Sequence, residues 1–72
     1  MNALKSMREY KGLSQSQLAK ASNVNVRMIQ HYEQGIKDIN KAQVLTVLRL
    51  AEALGCDVYE IINERDDYIS KE

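Results

Sequence analysis

The chain has 72 residues, 44% of them hydrophobic, and its ten basic side chains balance ten acidic ones. This length predicts one small domain, and the sequence has neither the roughly 20 apolar residues of a membrane span nor the apolar run of a signal peptide, so we expect a cytoplasmic protein. The chain has one cysteine, Cys56, and one histidine, which excludes an internal disulfide and a metal site built from a cluster of such residues. Cys56 is predicted to be a core residue. No cofactor or small-molecule ligand is expected.

The zero net charge conceals two halves of opposite sign. Residues 1–41 carry seven basic and three acidic side chains, a net charge of +4, whereas residues 42–72 carry three basic and seven acidic ones, a net charge of −4. This asymmetry favours a basic binding face in the first half, although charge runs also occur on plain solvated surface.

Two short helices are predicted at the start of the chain. Asn2 suits the N-cap of the first helix, and Gly12 suits the left-handed residue that ends it. Ser14 and Gln17 have the spacing of a capping box, so the second helix should begin at Gln15. Its inner face is predicted to contain Leu18 and Ala19.

A sharp turn and a third helix follow directly. Asn23 is a residue type that tolerates the left-handed backbone of a tight turn, Val24 should anchor that turn in the core, and Asn25 suits an N-cap. The third helix should end at Gly35. Two short helices joined in this way predict a helix-turn-helix.

The third helix has two chemically distinct faces. At about 100° per residue, the inward face is predicted to contain Ile29, Tyr32, Glu33 and Ile36, and the outward face Arg27, Gln30, His31 and Gln34. The outward face lacks a carboxylate. It is either an ordinary solvated surface or a DNA-contacting one, since Arg pairs with guanine, Gln pairs with adenine and His reaches a base edge or phosphate.

The second half of the chain is predicted to form two further helices. Asn40 suits the N-cap of a fourth helix, which should end at Gly55. Asp57 suits the N-cap of a short fifth helix, VYEIIN. Lys37 and Lys41, in the preceding loop, are either phosphate contacts or plain surface lysines. The inward stripe of the fourth helix is predicted to be Val44, Leu45, Leu48, Ala51 and Leu54.

The chain resembles the phage repressor and Cro-like helix-turn-helix family, also called the XRE family, over about residues 3–63. The resemblance is carried by Arg8, Gln15, Leu18, Ala19, Val24, Ile29, Tyr32, Glu33, Gly35 and the segment LRLAEALGCDVYEII. It implies an all-α, five-helix, lambda-repressor-like DNA-binding domain in residues 1–64, with a charged tail at 65–72. The helices numbered two and three would form the helix-turn-helix.

The resemblance also implies roles for individual residues. Gln15 and Asn25 would contact DNA phosphates. Arg8 and Glu33 would form an ion pair between the first and third helices. The positions that contact bases would be Val26, Arg27 and His31, with Gln30 and Gln34 nearby.

Three features depart from the family pattern. Asn23 stands where glycine is usual, which requires that Asn23 adopt a left-handed backbone. Val26 replaces a polar base-contacting residue and offers only an apolar contact, such as one to a thymine methyl group. The neutral charge predicts modest affinity that falls steeply with salt.

A homodimer is expected, because four apolar side chains lie near the C-terminal end, namely Tyr59, Ile62, Tyr68 and Ile69. Packing of these side chains onto the monomer core is the alternative. Two-fold pairing would place two third helices about 34 Å apart, one turn of DNA.

The function predicted is a sequence-specific transcriptional regulator, a repressor of prokaryotic or phage type, that binds double-stranded DNA. The chain has no Gly-rich phosphate loop and no nucleophile beside its histidine, so an enzyme is not expected. An antitoxin or other protein-interaction module on the same fold is the alternative. It is less favoured because the chain has almost no extra segment to wrap a toxin.

Overall fold

Four α-helices and two short 3₁₀ turns make up residues 2–62, the part of the chain that the structure, a computed structural model, describes. The elements are α1 (Ala3–Tyr10), α2 (Gln15–Ser22), α3 (Val26–Gln34), a 3₁₀ turn (Ile39–Lys41), α4 (Val44–Leu54) and a second 3₁₀ turn (Val58–Glu60). Residues 2–62 contain no strand. The predicted all-α class is therefore confirmed for this range.

The segment predicted to form a fifth helix is a single 3₁₀ turn as far as residue 62. Within it, the Glu60 N–H donates to the Asp57 carbonyl and the Ile61 N–H to the Val58 carbonyl, each at 3.0 Å. Ile61 is fully buried, so the turn carries one apolar anchor into the core. Residues 2–62 thus hold four α-helices rather than five, and the tail predicted at 65–72 lies outside the described residues.

The helix starts follow the local sequence closely. Asn2 Oδ1 accepts from the Lys5 N–H at 2.9 Å, which caps α1. Ser14 Oγ accepts from the Gln17 N–H at 3.0 Å, and Gln17 Oε1 accepts from the Ser14 N–H at 2.8 Å. The predicted capping box is therefore confirmed, and α2 begins at Gln15.

The end of α3 corrects one prediction. Gly35 has φ 81°, and the Ile36 N–H donates to the His31 carbonyl at 2.9 Å, which closes the helix in a Schellman arrangement. Ile36 therefore lies beyond the helix and is 65% exposed. Its predicted place on the inward face is wrong because the left-handed glycine turns the chain away before that position.

The core is assembled around α2, which packs against both α3 and α4, while α1 packs against α3. Its buried apolar residues are Leu4, Leu18, Val24, Ile29, Tyr32, Ile39, Val47, Leu50, Ala51, Leu54 and Ile61. Cys56, predicted to be a core residue, is half-buried and packs against the outside of this cluster. Desolvation by burial raises the pKa of its thiol.

The inward stripe of α4 differs from the prediction. Ala51 and Leu54 are buried as expected, but Val44, Leu45 and Leu48 are exposed, Val44 by 74%. The buried positions with helical spacing are Val47, Leu50, Ala51 and Leu54. The prediction is wrong because α4 is apolar on more than one side, so two stripes satisfy the spacing and only packing against α2 selects between them.

The start of α4 also differs from the prediction. Asn40 lies inside the first 3₁₀ turn, where its N–H donates to Asp38 Oδ1 at 2.9 Å. α4 begins at Val44 after Gln43, whose side chain makes no capping hydrogen bond. Asn40 is not the cap of α4 because the buried Ile39 holds residues 39–41 in a turn of their own.

Candidate nucleic-acid interface

The turn between α2 and α3 places the two helices of the interface. Asn23 has φ 60° and ψ 30°, the left-handed backbone that its position requires. Ser22, which is buried, accepts from the Val24 N–H through Oγ at 3.2 Å, and Val24 is itself buried. The turn is therefore held by one side-chain hydrogen bond and one apolar anchor. Sequence reasoning did not assign this role to Ser22.

The N-terminus of α3 is capped by Asn25. Its Oδ1 accepts from the Arg27 N–H at 2.7 Å, and the side chain is exposed. The cap uses the side-chain oxygen of Asn25. The side-chain NH₂ group of Asn25 is therefore the part that can donate to a phosphate oxygen.

The predicted base-contacting residues lie along α3 with unequal exposure. Arg27 and Gln34 are exposed, whereas Val26, Gln30 and His31 are half-buried. Val26 also lines a cleft of about 550 Å³, together with Ser16, Ala19, Lys20, Asn23, Val24 and Asn25. The turn and the start of α3 therefore line one shallow, open depression, and Arg27 follows Val26 on α3.

A network of hydrogen bonds fixes α3 from behind. Arg8 donates to both carboxylate oxygens of Glu33, from Nε at 2.7 Å and from Nη2 at 3.0 Å. Its Nη1 donates to the Leu13 carbonyl at 2.7 Å. The Glu33 side chain is 3% exposed, so this bidentate ion pair is almost completely desolvated. The hydrogen bond with Glu33 raises the pKa of Arg8, and the guanidinium stays charged at all ordinary pH values.

Two further side chains extend this network to α2 and α1. Gln15 Nε2 donates to Glu33 Oε1 at 3.0 Å, so the residue predicted to contact phosphate also joins α2 to α3. Asn2 Nδ2 donates to the Tyr32 carbonyl at 2.8 Å. Sequence reasoning assigned Asn2 only its capping role, since nothing local indicates a partner 30 residues away.

The loop after α3 carries the two predicted phosphate-contacting lysines. Lys37 and Lys41 are both exposed. The backbone N–H of Lys37 donates to the His31 carbonyl at 3.2 Å, which holds the start of the loop against the end of α3. The backbone of Lys37 is thus held next to the end of α3, and Lys41 is the last residue of the 3₁₀ turn that follows.

The predicted dimer contacts are partly within the described range. Tyr59 is 71% exposed, and Ile62 is half-buried. Tyr68 and Ile69 lie outside the described residues. Ile62 lines an apolar groove of about 210 Å³ with Ile39, Ala42, Val44, Val47, Leu48 and Val58. This groove joins Ile62 to the exposed face of α4.

The described part of the chain shows neither a metal-binding cluster nor a membrane-spanning helix. Among residues 2–62, no group of three or more His, Cys, Asp or Glu side chains is placed to hold a metal ion. None of the helices in that range has the length and apolar character needed to span a membrane.

α2 and α3 are adjacent helices joined by a fixed turn, and the second of them has a polar outward face. This arrangement defines the helix-turn-helix class of DNA-binding domain. The model of a family described as "Helix-turn-helix" matches residues 4–61, and the chain belongs to this XRE-type helix-turn-helix family. It is therefore a DNA-binding transcription regulator. A search among curated proteins finds no match.

Proposed function

We propose that this protein acts as a transcriptional repressor of prokaryotic or phage type, in which a homodimer places the α3 of each subunit in the DNA major groove. The observation that carries the proposal is the outward face of α3. That face has the planar hydrogen-bonding groups of Arg27, Gln30, His31 and Gln34 and no carboxylate, while the one acid of α3, Glu33, is buried against Arg8.

The major groove is wide enough to admit an α-helix, and the α3 side chains match base edges found there. Arg27, exposed in the first turn, suits guanine O6 and N7. Gln30 and Gln34 suit adenine N6 and N7, and Val26 suits a thymine methyl group. His31, between them, contacts a base edge or a phosphate.

Phosphate contacts would orient α3 on the duplex. Gln15 and Asn25 carry amide donors at the starts of α2 and α3, and Lys37 and Lys41 follow α3. These groups neutralise or hydrogen-bond the backbone without distinguishing sequence. Because the whole chain is neutral, such local contacts carry the electrostatic part of the affinity, which should fall with salt.

The dimer contact is assigned to Tyr59, Ile62 and the adjoining exposed face of α4, with Tyr68 and Ile69 as further candidates outside the described residues. Val44, Leu45 and Leu48 on that face carry no charge. Pairing of this face in two copies would add apolar burial to a small core, with the exposed Glu52, one turn after Leu48, as the acidic residue of the same side.

Selection from random double-stranded DNA at low salt tests the proposal. The wild-type protein should enrich one near-palindromic motif, whose half-sites are separated by about one helical turn, roughly 34 Å. Arg49→Ala is the matched control, because Arg49 is an exposed arginine on α4 and its loss should leave the motif unchanged. Failure of the wild-type protein to enrich any motif would overturn sequence-specific regulation.

A further inference from the structure

The imidazole of His31 has an unusual environment for a side chain on a DNA-facing helix. Its Nδ1 atom is buried and has no hydrogen-bond partner, and no other buried side-chain nitrogen or oxygen in residues 2–62 shares that condition. The residue as a whole is half-buried. One ring nitrogen is therefore enclosed by the protein, and Nε2 is the nitrogen left to meet a ligand.

The enclosure of Nδ1 decides where the proton of a neutral imidazole lies. A neutral ring carries one N–H donor and one bare acceptor nitrogen, and the surroundings of each nitrogen select the tautomer. A buried N–H without an acceptor is rarer in proteins than a buried acceptor without a donor. The bare nitrogen should therefore be Nδ1, and the proton should lie on Nε2.

We infer that His31 presents Nε2–H as a donor and selects guanine at its position in the DNA site; this inference rests on the proposed function. Guanine offers two acceptors, N7 and O6, on its major-groove edge, whereas adenine places an amino donor beside its N7 and cytosine offers only a donor. A donor-only imidazole therefore favours guanine most and cytosine least.

The position of His31 on α3 supports a base contact of this kind. Arg27 lies one turn earlier, at the i−4 position, so the two side chains are neighbours on the same face. Both present donors and neither presents an acceptor, while Gln30 and Gln34 carry both kinds of group. The Arg27 and His31 pair should accordingly contact a guanine-rich part of each half-site.

The tautomer is measured first, on the free wild-type protein and without DNA. Long-range ¹H–¹⁵N correlation spectra at pH 8 distinguish a protonated ring nitrogen from a bare one, and they show whether the ring carries one proton or two. The chain has a single histidine, so the signals need no assignment. Protonated Nε2 with bare Nδ1 is expected, and protonated Nδ1 would overturn the inference.

The base preference is measured next, by DNA selection with wild-type protein, His31→Gln and the control Arg49→Ala. At one half-site position, wild type and Arg49→Ala should favour guanine over adenine by up to roughly 5-fold, the lower end of what a two-hydrogen-bond contact gives, because His31 supplies one donor. His31→Gln should shift that position toward adenine, because an amide side chain donates and accepts together.

The outcomes separate this inference from the proposed function. An enriched motif in which no position responds to His31→Gln would overturn the guanine assignment and leave the regulator intact. Absence of any motif would overturn both. Far-ultraviolet circular dichroism of His31→Gln checks that its fold is retained, and the tautomer measurement on wild-type protein does not depend on that variant.

Discussion

α3 and α4 are both amphipathic helices of this small domain, but their exposed faces differ in chemistry. α3 buries Ile29 and Tyr32 and exposes polar groups, whereas α4 buries Val47, Leu50, Ala51 and Leu54 and exposes further apolar side chains. A polar face without carboxylates suits DNA, and a face with several exposed apolar side chains suits another protein surface. In the proposed function, α3 accordingly contacts bases and α4 contacts the second subunit.

The two helices are also held by different interactions. Apolar burial holds α4 against the core, while α3 additionally depends on the buried ion pair of Glu33 with Arg8 and on the Gln15 hydrogen bond. A buried carboxylate that loses its partner is far more costly than an apolar side chain that loses one contact. The placement of α3 should therefore be the more sensitive to a single polar substitution.

The largest effect is expected from Arg8→Ala. The substitution leaves the Glu33 carboxylate buried with only the Gln15 amide as a side-chain donor, and it should lower the free energy of unfolding by about 3–5 kcal/mol. Urea denaturation measures this loss. The control is the double variant Arg8→Met, Glu33→Leu, which removes both charges and should recover most of the stability; if it is as unstable as Arg8→Ala, the ion pair is not the cause.

The next effect tests the face of α4. Leu48→Glu should weaken the proposed dimer at least tenfold, about 1.4 kcal/mol, because two carboxylates would meet near the two-fold axis. Sedimentation equilibrium measures the association. The matched control is Tyr10→Glu, an apolar-to-acid change at an exposed position on α1. Equal association by Leu48→Glu and wild type would exclude this face from the subunit contact.

A smaller effect is expected in the turn that precedes α3. Asn23→Ala should lower the free energy of unfolding by about 1 kcal/mol, since alanine tolerates the left-handed backbone less well than asparagine does. Asn23→Gly should be neutral or stabilising. Thermal denaturation of both variants checks the order, and a more stable alanine variant would contradict the left-handed geometry.

The smallest effect concerns a phosphate contact beside α3. Lys37→Ala should weaken binding to all DNA sequences alike and reduce the slope of log affinity against log salt by about 1. Fluorescence anisotropy at several salt concentrations measures the slope. Arg49→Ala again serves as the control for loss of one positive charge. An unchanged slope for Lys37→Ala would make Lys37 a plain surface lysine.

Sequence reasoning succeeded where the determinants are local. The caps at Asn2 and Ser14 and the end of α3 at Gly35 depend on residues within one helical turn, and the structure has them as predicted. The choice of buried face on α4 depends on how α2 lies against it, so helical spacing alone places Val44, Leu45 and Leu48 on the wrong side.

In the candidate site, too, local features can be predicted from the sequence, whereas tertiary contacts cannot. Helical spacing predicts the polar face of α3, whereas only the family resemblance predicts the pairing of Arg8 with Glu33. The hydrogen bond from Asn2 to the Tyr32 carbonyl and the burial of His31 Nδ1 arise from tertiary packing. No periodicity or motif in the sequence indicates them.

The central claim is that the outward face of α3 contacts bases, and Arg27 tests it most directly. On the selected DNA site at fixed salt, Arg27→Ala should lose about 1–3 kcal/mol of specific binding while retaining non-specific binding, and Arg49→Ala should bind nearly as wild type does. Equal specific binding by Arg27→Ala and wild type would contradict the account.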